Sequence, residues 1–204
     1  MARDGTIGFE QPLRRIPAPT DDPGDPARYW EGGGPDIIEQ PALLDLLEYW
    51  RTKRGAAPLA SRRDIDALEI PWALDRVYLI DRVAPPAVWR YRLAGGRIEE
   101  AFGVNSLRGL ALADFLAADK ARLIIQRWQP LIERGCAIYM KGMIYRTTER
   151  CTLGGRLLLP LGEPQDPSGE VSGLIGITEG QWRRPDGAAA PPPLDIHYLQ
   201  LAPA

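Results

Sequence analysis

The amino-acid sequence predicts a single α+β domain that contains one antiparallel sheet. Its 204 residues, of which 45% are hydrophobic, suffice for one buried core. Short runs of β-branched, aromatic and aliphatic residues occur twice before a central helical region and three times after it. That region ends in a long amphipathic segment over residues 119–134. The predicted order is two strands, several short helices, one long helix and three strands.

Composition argues against two classes of partner. A formal net charge of −2 and an isoelectric point near 5.6 give no general attraction to nucleic acid or to an anionic membrane. Residues 1–18 lack the apolar run of a signal peptide, and no later stretch resembles a membrane-spanning helix. We therefore expect a cytoplasmic protein with no nucleic-acid and no membrane partner.

Proline and glycine divide the chain into three parts. Residues 1–38 are rich in both and are predicted to form a flexible arm. Residues 39–183 carry the apolar runs of the folded domain. Residues 184–204 return to proline, glycine and alanine but end in an alternating apolar and polar segment. This tail is predicted either to stay flexible or to dock as an edge strand on this protein or on a partner.

A helix is predicted from Pro41 to Arg54, because proline favours the first helical position and apolar residues follow at helical spacing. Leu44 and Tyr49 widen the apolar stripe to a second flank. The helix is expected to pack on its own domain. A second possibility is that it contacts another copy or a protein partner through Leu43, Leu46, Leu47 and Trp50.

The remaining elements follow from periodicity and from glycine and proline. Residues 64–74 are predicted to form a short helix, and residues 98–102 and 110–116 two more. The first two strands begin near Arg76 and Val88, and Trp89, Tyr91 and Leu93 are predicted to face the core. The last three strands are predicted at residues 136–147, 156–161 and 171–182.

Several local sequences occur in the order seen in one known family. They are Tyr91-Arg92-Leu93-Ala94-Gly95, Phe102-Gly103, Leu107-Arg108-Gly109, Leu157-Leu158-Leu159-Pro160-Leu161 and Leu174-Ile175-Gly176. Over residues 41–180 the chain resembles a bacterial family of stand-alone PAS-like domains. The resemblance implies a five-stranded antiparallel sheet of order 2-1-5-4-3 with helices on one face, preceded by an N-terminal helix. It also implies a non-catalytic sensory or regulatory module that signals in trans.

The resemblance also suggests where a ligand would bind. In sensory PAS domains a cavity lies between the sheet and the long helix. A cavity there would be lined by Trp89, Tyr91, Leu93, Ile98, Phe102, Phe115, Trp128, Tyr139, Met143, Leu158, Ile175 and Ile177. The alternative is that these side chains simply fill the core. The domain would then mediate protein interactions without a small-molecule ligand.

Cofactor and metal chemistry have few candidate residues. The only histidine, His197, lies in the tail, which disfavours haem, and residues 98–134 contain no cysteine for flavin photochemistry. Cys136 and Cys151 lack metal-ligand spacing. No cofactor and no metal is therefore predicted.

An enzyme is the competing class, because a curved sheet wrapped by helices also occurs in isomerases and cyclases that use a buried carboxylate. Asp81 and Asp114 are the candidate bases. Each lies beside a strand end or a helix start, where an exposed or capping aspartate is the commoner explanation. The prediction is a protein without catalytic residues.

Overall fold

The computed structural model describes residues 12–83, 88–146, 151–164, 166, 168–183 and 192–201. Within these residues one sheet contains β1 (Arg14–Ile16), β2 (Arg28–Glu31), β3 (Ala60–Ser61), β4 (Val77–Val83), β5 (Val88–Ala94), β6 (Ala137–Arg146), β7 (Cys151–Gly162), β8 (Gly173–Arg183) and β9 (Asp195–Leu199). The helices are α1 (Pro41–Arg54), α2 (Gly96–Phe102) and α3 (Ala118–Arg134).

The five predicted strands form the centre of the sheet. Their order is β5-β4-β8-β7-β6, and every neighbouring pair is antiparallel. Counted from the first of the five, this is the order 2-1-5-4-3, so the predicted fold class is confirmed. The short strand β3 lies beside β7 in parallel. The sheet continues beyond β6 through β9, β2 and β1.

The sheet has two covered faces, which we call the α1 face and the α3 face. On the α1 face, the hydroxyl of Tyr139 lies 3.1 Å from the side-chain oxygen of Gln40 at the start of α1. On the α3 face, the Tyr198 hydroxyl donates to the Arg127 carbonyl of α3 at 3.0 Å. Residues paired across strands share a face, so Leu157 of β7 lies on the α1 face and Leu158 on the α3 face.

Helix α1 packs its apolar stripe on its own sheet. The Trp50 indole Nε1 donates to the Pro160 carbonyl at 2.7 Å. The four side chains proposed to contact a partner are 0–3% exposed, which corrects that prediction, because a side chain buried in the monomer cannot form a second interface. They are Leu43, Leu46, Leu47 and Trp50.

The long helix predicted at residues 119–134 is present as α3, between the second and third central strands. Helix α3 ends at Gly135, whose φ of 63° is the left-handed conformation that favours glycine. The predicted short helices at 64–74 and 110–116 are instead single 3₁₀ turns, at 62–64, 67–69, 71–73 and 112–114. Pro71 begins the third of these turns.

The prediction of a flexible arm over residues 1–38 is wrong for the part that the structure describes. Strand β2 pairs in parallel with β9, and Tyr29 is 2% exposed. The partner strand lies 167 residues away in the chain, so the local composition gave no sign of it. Residues 1–11 lie outside the described residues.

The C-terminal segment docks on its own domain, as one of the two alternatives predicted. Strand β9 is not an edge strand, however, because it lies between β2 and β6. Its Ile196 and Tyr198 are almost fully buried. Residues 184–191 and 202–204 lie outside the described residues.

Both terminal segments hold α3 against the sheet. The Asp25 carboxylate, 1% exposed, forms an ion pair with Arg127 of α3. Burial favours the neutral acid, but hydrogen bonds from Arg127 and Tyr29 outweigh it, so the pKa of Asp25 is lowered. Glu31 of β2 pairs with Arg134 near the end of the same helix.

The described part of the chain contains no helix with the length and apolar character needed to cross a membrane. Over the same residues, no three histidine, cysteine or acidic side chains lie close enough together to hold a metal ion. Cys136 and Cys151 are both buried as free thiols, and burial raises the pKa of Cys136 to about 12.

His197 lies between two aromatic rings on the α1 face. Its ring is 6.0 Å from that of Trp30 and 5.7 Å from that of Tyr139, measured between centroids. Its Nδ1 is buried and has no hydrogen-bond partner among the residues described. Burial lowers the pKa of His197 below its ordinary 6.5, and nearby Lys141 and Arg28 add to this effect while Asp195 opposes it.

We predict that this histidine makes stability depend on pH. Because the unfolded chain takes up the proton at a higher pH, the free energy of unfolding should decrease as pH falls below about 6.5, toward the lowered pKa. Denaturant unfolding between pH 7.5 and 5.5 measures the effect. In His197→Phe the loss over this interval should be smaller, and equal losses in both proteins would contradict the prediction.

Candidate functional site

A pocket of about 300 Å³ opens on the α3 face between the start of β5 and the first half of α3. Trp89, which is 7% exposed, forms part of its wall and meets Trp128 edge to face at 6.2 Å. Among the described residues, Arg122 is the only ionisable side chain of the lining, and it is exposed. The other lining residues are Val88, Ala111, Leu112, Ala113, Ala118, Ala121 and Ile125.

Small side chains leave the space for this pocket. Ala118, Ala121, Arg122 and Ile125 follow at spacings of three and four, so they share one side of α3. An apolar wall with one positive group at its rim suits an apolar or aromatic molecule that carries a negative charge. The volume is at the lower end of the range for small-molecule sites.

A larger cleft of about 700 Å³ lies along β4 and β5 and is rimmed by charged side chains. Two of its three arginines have acidic partners. Arg90 lies 3.3 Å from Asp114, and Arg92 lies 3.6 Å from Asp81. The lining carries both arginines and acidic residues, so the cleft selects less clearly for an anion than the pocket beside α3.

The two aspartates considered as catalytic bases have structural partners. Asp81 is 2.8 Å from Arg62 and lies on the α1 face, away from the pocket. Asp114 accepts a hydrogen bond from the Ala111 backbone N–H at 2.7 Å. Neither carboxylate faces the pocket beside α3. Their positions favour ion pairing and capping over proton transfer.

The α3 face also carries a group of polar and aromatic side chains around one arginine. We call it the tyrosine–arginine cluster, and it consists of Arg156, Tyr78, Tyr91, Tyr145 and Thr178. The guanidinium carbon of Arg156 lies 4.4 Å from the ring centroid of Tyr145 and 5.9 Å from that of Tyr78. Its Nε donates to Thr178 Oγ1 at 3.0 Å. Burial raises the pKa of Tyr78 and Tyr91, which keeps both phenols neutral.

Comparison with known proteins agrees with this geometry. A family model described as a PAS domain matches residues 38–177. The chain belongs to the PAS domain family. A search of curated proteins finds no match. PAS domains are sensory and regulatory modules and are generally not catalytic. The match leaves β1, β2 and β9 outside it, so these strands extend the PAS sheet.

Seven of the twelve predicted lining residues lie on the α3 face of the sheet. Phe102 packs edge to face with Phe115 at 5.1 Å and with Tyr145 at 5.3 Å. Of the seven, Trp89 borders the pocket beside α3. The seven are Trp89, Tyr91, Ile98, Phe102, Phe115, Trp128 and Leu158.

The other five predicted lining residues are on the α1 face, which corrects the prediction. A shift in register between Leu79 and Ile80 leaves Arg92 as an extra residue, and this turns Leu93 to the opposite side from Tyr91. The other four lie on β6 and β8. Both faces of these strands carry buried side chains, so apolar character did not reveal which face each residue occupies. The four are Tyr139, Met143, Ile175 and Ile177.

Sequence reasoning missed the alanines and Arg122 that line the pocket. The available signal was the spacing of small residues along the predicted long helix, where larger side chains would be expected against the sheet. It also missed Arg156, which occupies an inward position in a strand of leucines. A charged residue at such a position was a visible exception to the pattern.

The position of Tyr78 depends on Gly176. A Cβ at Gly176 would lie 2.2 Å from Cζ of Tyr78, because the tyrosine ring crosses β8 toward β7. We predict that Gly176→Ala lowers the free energy of unfolding by about 1–3 kcal/mol, since the ring has to move. Chemical denaturation followed by tryptophan fluorescence measures this change.

Gly96→Ala is the matched control, because a Cβ at Gly96 meets no atom within 4 Å. Gly96 is also the first residue of α2, where alanine is tolerated. The control should be neutral or slightly stabilising. Equal effects of the two substitutions would show that the Tyr78 ring does not require this glycine.

Proposed function

We propose that this PAS domain is a non-catalytic regulatory module that binds a small aromatic or apolar anion between β5 and α3. The observation that carries the proposal is the pocket of about 300 Å³ with Trp89 in its wall and Arg122 at its rim. The aromatic ring offers a flat apolar contact, and the guanidinium offers a partner for a carboxylate. Binding there would act on α3, the helix that the terminal segments also contact.

We predict that the isolated protein binds benzoate more tightly than benzyl alcohol, and benzyl alcohol more tightly than benzylamine. The reason is that the three probes share a ring and differ in charge beside Arg122. Arg122→Gln should weaken benzoate binding about tenfold and leave benzyl alcohol nearly unchanged. Ala118→Leu should weaken the binding of both by filling space. Isothermal titration calorimetry measures all of these affinities.

Arg63→Gln is the control, because Arg63 is exposed and does not line the pocket. It should bind benzoate like the unmodified protein. Equal binding of benzoate and benzylamine would contradict the role of Arg122. No binding of any probe, together with a native mass equal to that of the chain alone, would favour the filled-core interaction domain instead.

A regulatory module that acts in trans also needs a surface for another protein. Leu68 is 84% exposed, and Trp72 and Leu74 in the same segment before β4 are 37% and 40% exposed. We propose that these side chains together form one apolar patch, since contiguous exposed apolar patches are typical of interaction surfaces. This segment replaces the buried stripe of α1 as our proposed contact with a second copy or a protein partner.

We predict that the protein forms a dimer through this segment and that Leu68→Glu weakens the dimer at least tenfold, since a buried charge would oppose association. Sedimentation velocity over a range of concentrations measures the effect. Leu13→Glu is the control, because Leu13 is 42% exposed but lies in the segment before β1. A monomer at all concentrations, or equal effects of both substitutions, would contradict the dimer.

A further inference from the structure

Arg156 places a positive charge in the aromatic layer of the α3 face. The residue is half-buried in the middle of β7, and the next two residues of the strand, Leu157 and Leu158, are fully buried. Its Nη2 is buried and has no hydrogen-bond partner in the part of the chain that the structure describes. A guanidinium is always charged in a protein, so this nitrogen carries positive charge away from solvent.

No carboxylate of the described residues forms an ion pair with Arg156. The charged or polar groups that act on it most strongly are Tyr145, Tyr78 and Tyr91. The nearest acid along β8 is Glu179, but this residue follows Thr178 and therefore points to the α1 face, where it pairs with Arg76 at 3.2 Å. Tyrosine rings offset part of the cost of a buried cation, but they do not neutralise it.

The groups around Arg156 are suited to donate hydrogen bonds. Tyr145 and Thr178 share a hydrogen bond of 3.4 Å between their hydroxyl groups, which leaves one of the two protons for another acceptor. Thr152, which pairs with Tyr145 across the hairpin, has a buried Oγ1 with no partner among the described residues. A guanidinium beside hydroxyl donors without an anionic acceptor favours a negative ion.

A small cavity lies beside these hydroxyl groups. Its volume is about 20 Å³, and its lining includes Tyr145, Thr152, Thr178 and the side chain of Arg97. Arg156 is linked to the cavity through its hydrogen bond to Thr178. This is enough for one water-sized group and too small for an extended molecule. The cavity shares no lining residue with the pocket between β5 and α3. Any occupant is therefore independent of the ligand proposed above.

We propose that the tyrosine–arginine cluster, with the adjoining cavity, binds a small monovalent anion close to water in size, such as a halide. The anion acts as the negatively charged partner of the Arg156 guanidinium. It also accepts hydrogen bonds from the surrounding hydroxyl groups. Its binding stabilises the contact between β7 and the helices on the α3 face. The site selects by size, since a larger organic acid does not fit the cavity.

Thermal unfolding of the purified full chain tests the proposal. Sodium gluconate, whose anion is too large for the cavity, keeps the ionic strength constant while chloride, bromide or formate is raised from 1 to 100 mM. The unfolding midpoint should rise by about 3 °C or more with at least one of the small anions. The arms for chloride and formate distinguish a halide from a carboxylate as the preferred occupant. No rise with any of the three overturns the proposal and leaves water as the occupant.

Arg156→Met should abolish the rise while keeping contact with the tyrosine rings. In gluconate alone this variant should unfold at the same temperature as the unmodified protein or higher, because it no longer buries an uncompensated charge. Arg108→Met, a substitution of an exposed arginine, should leave the response unchanged. A response to anions that persists in Arg156→Met overturns the assignment to this cluster.

Diffraction provides a test of position that does not depend on the stability of the variants. Crystals of the unmodified protein soaked in bromide should give an anomalous peak within hydrogen-bond distance of the Arg156 guanidinium. Crystals of Arg156→Lys should retain a weaker peak, because lysine keeps the charge but not the fork of donors. Bromide found only at the protein surface overturns the proposal.

Discussion

The position of β7, paired on both sides and covered on both faces, sets the arrangement of the rest of the molecule. Its run Leu157–Leu161 sends alternate side chains toward α1 and toward α3, and the leucines in it are fully buried. A slip of one residue in its register would exchange the two sets. It would also turn Arg156 away from the tyrosines. The long pairings with β6 and β8 make such a slip costly, because they fix the register over most of the strand.

The terminal segments complete the PAS sheet by covering an edge. Without β9 and β2, strand β6 would expose its backbone groups along one side. The same segments bring Asp25, Glu31 and Tyr198 to α3, where they meet Arg127 and Arg134. The first half of α3 lines the pocket. Its second half contacts residues that lie outside the family match. A change in the position of α3 would therefore alter its contacts with both terminal segments.

The α3 face combines two environments that differ in what they favour. Beside α3, alanines and a tryptophan leave an apolar space with a single positive charge at its rim. In the middle of the sheet, aromatic rings pack closely around a guanidinium and leave only a small cavity. An apolar residue of similar size at position 156 would serve the core at least as well. The half-buried arginine is thus a local exception in a strand of leucines, and such conflicts between local sequence and fold often mark functional positions.

The sequence by itself determined the five central strands, their order and the extent of α3, because alternating apolar residues and well-placed glycines specify these elements locally. It also indicated that Trp89, Tyr91, Phe102, Phe115 and Trp128 lie on the same side of the sheet. Only the tertiary structure decided the faces of Tyr139, Ile175 and Ile177, since a period of two is the same for either face when both are buried. It alone decided that residues 28–31 and 195–199 pair, because no local pattern encodes a partner strand so distant in the chain. The environment of Arg156 was decided in the same way, through tyrosines contributed by three different strands.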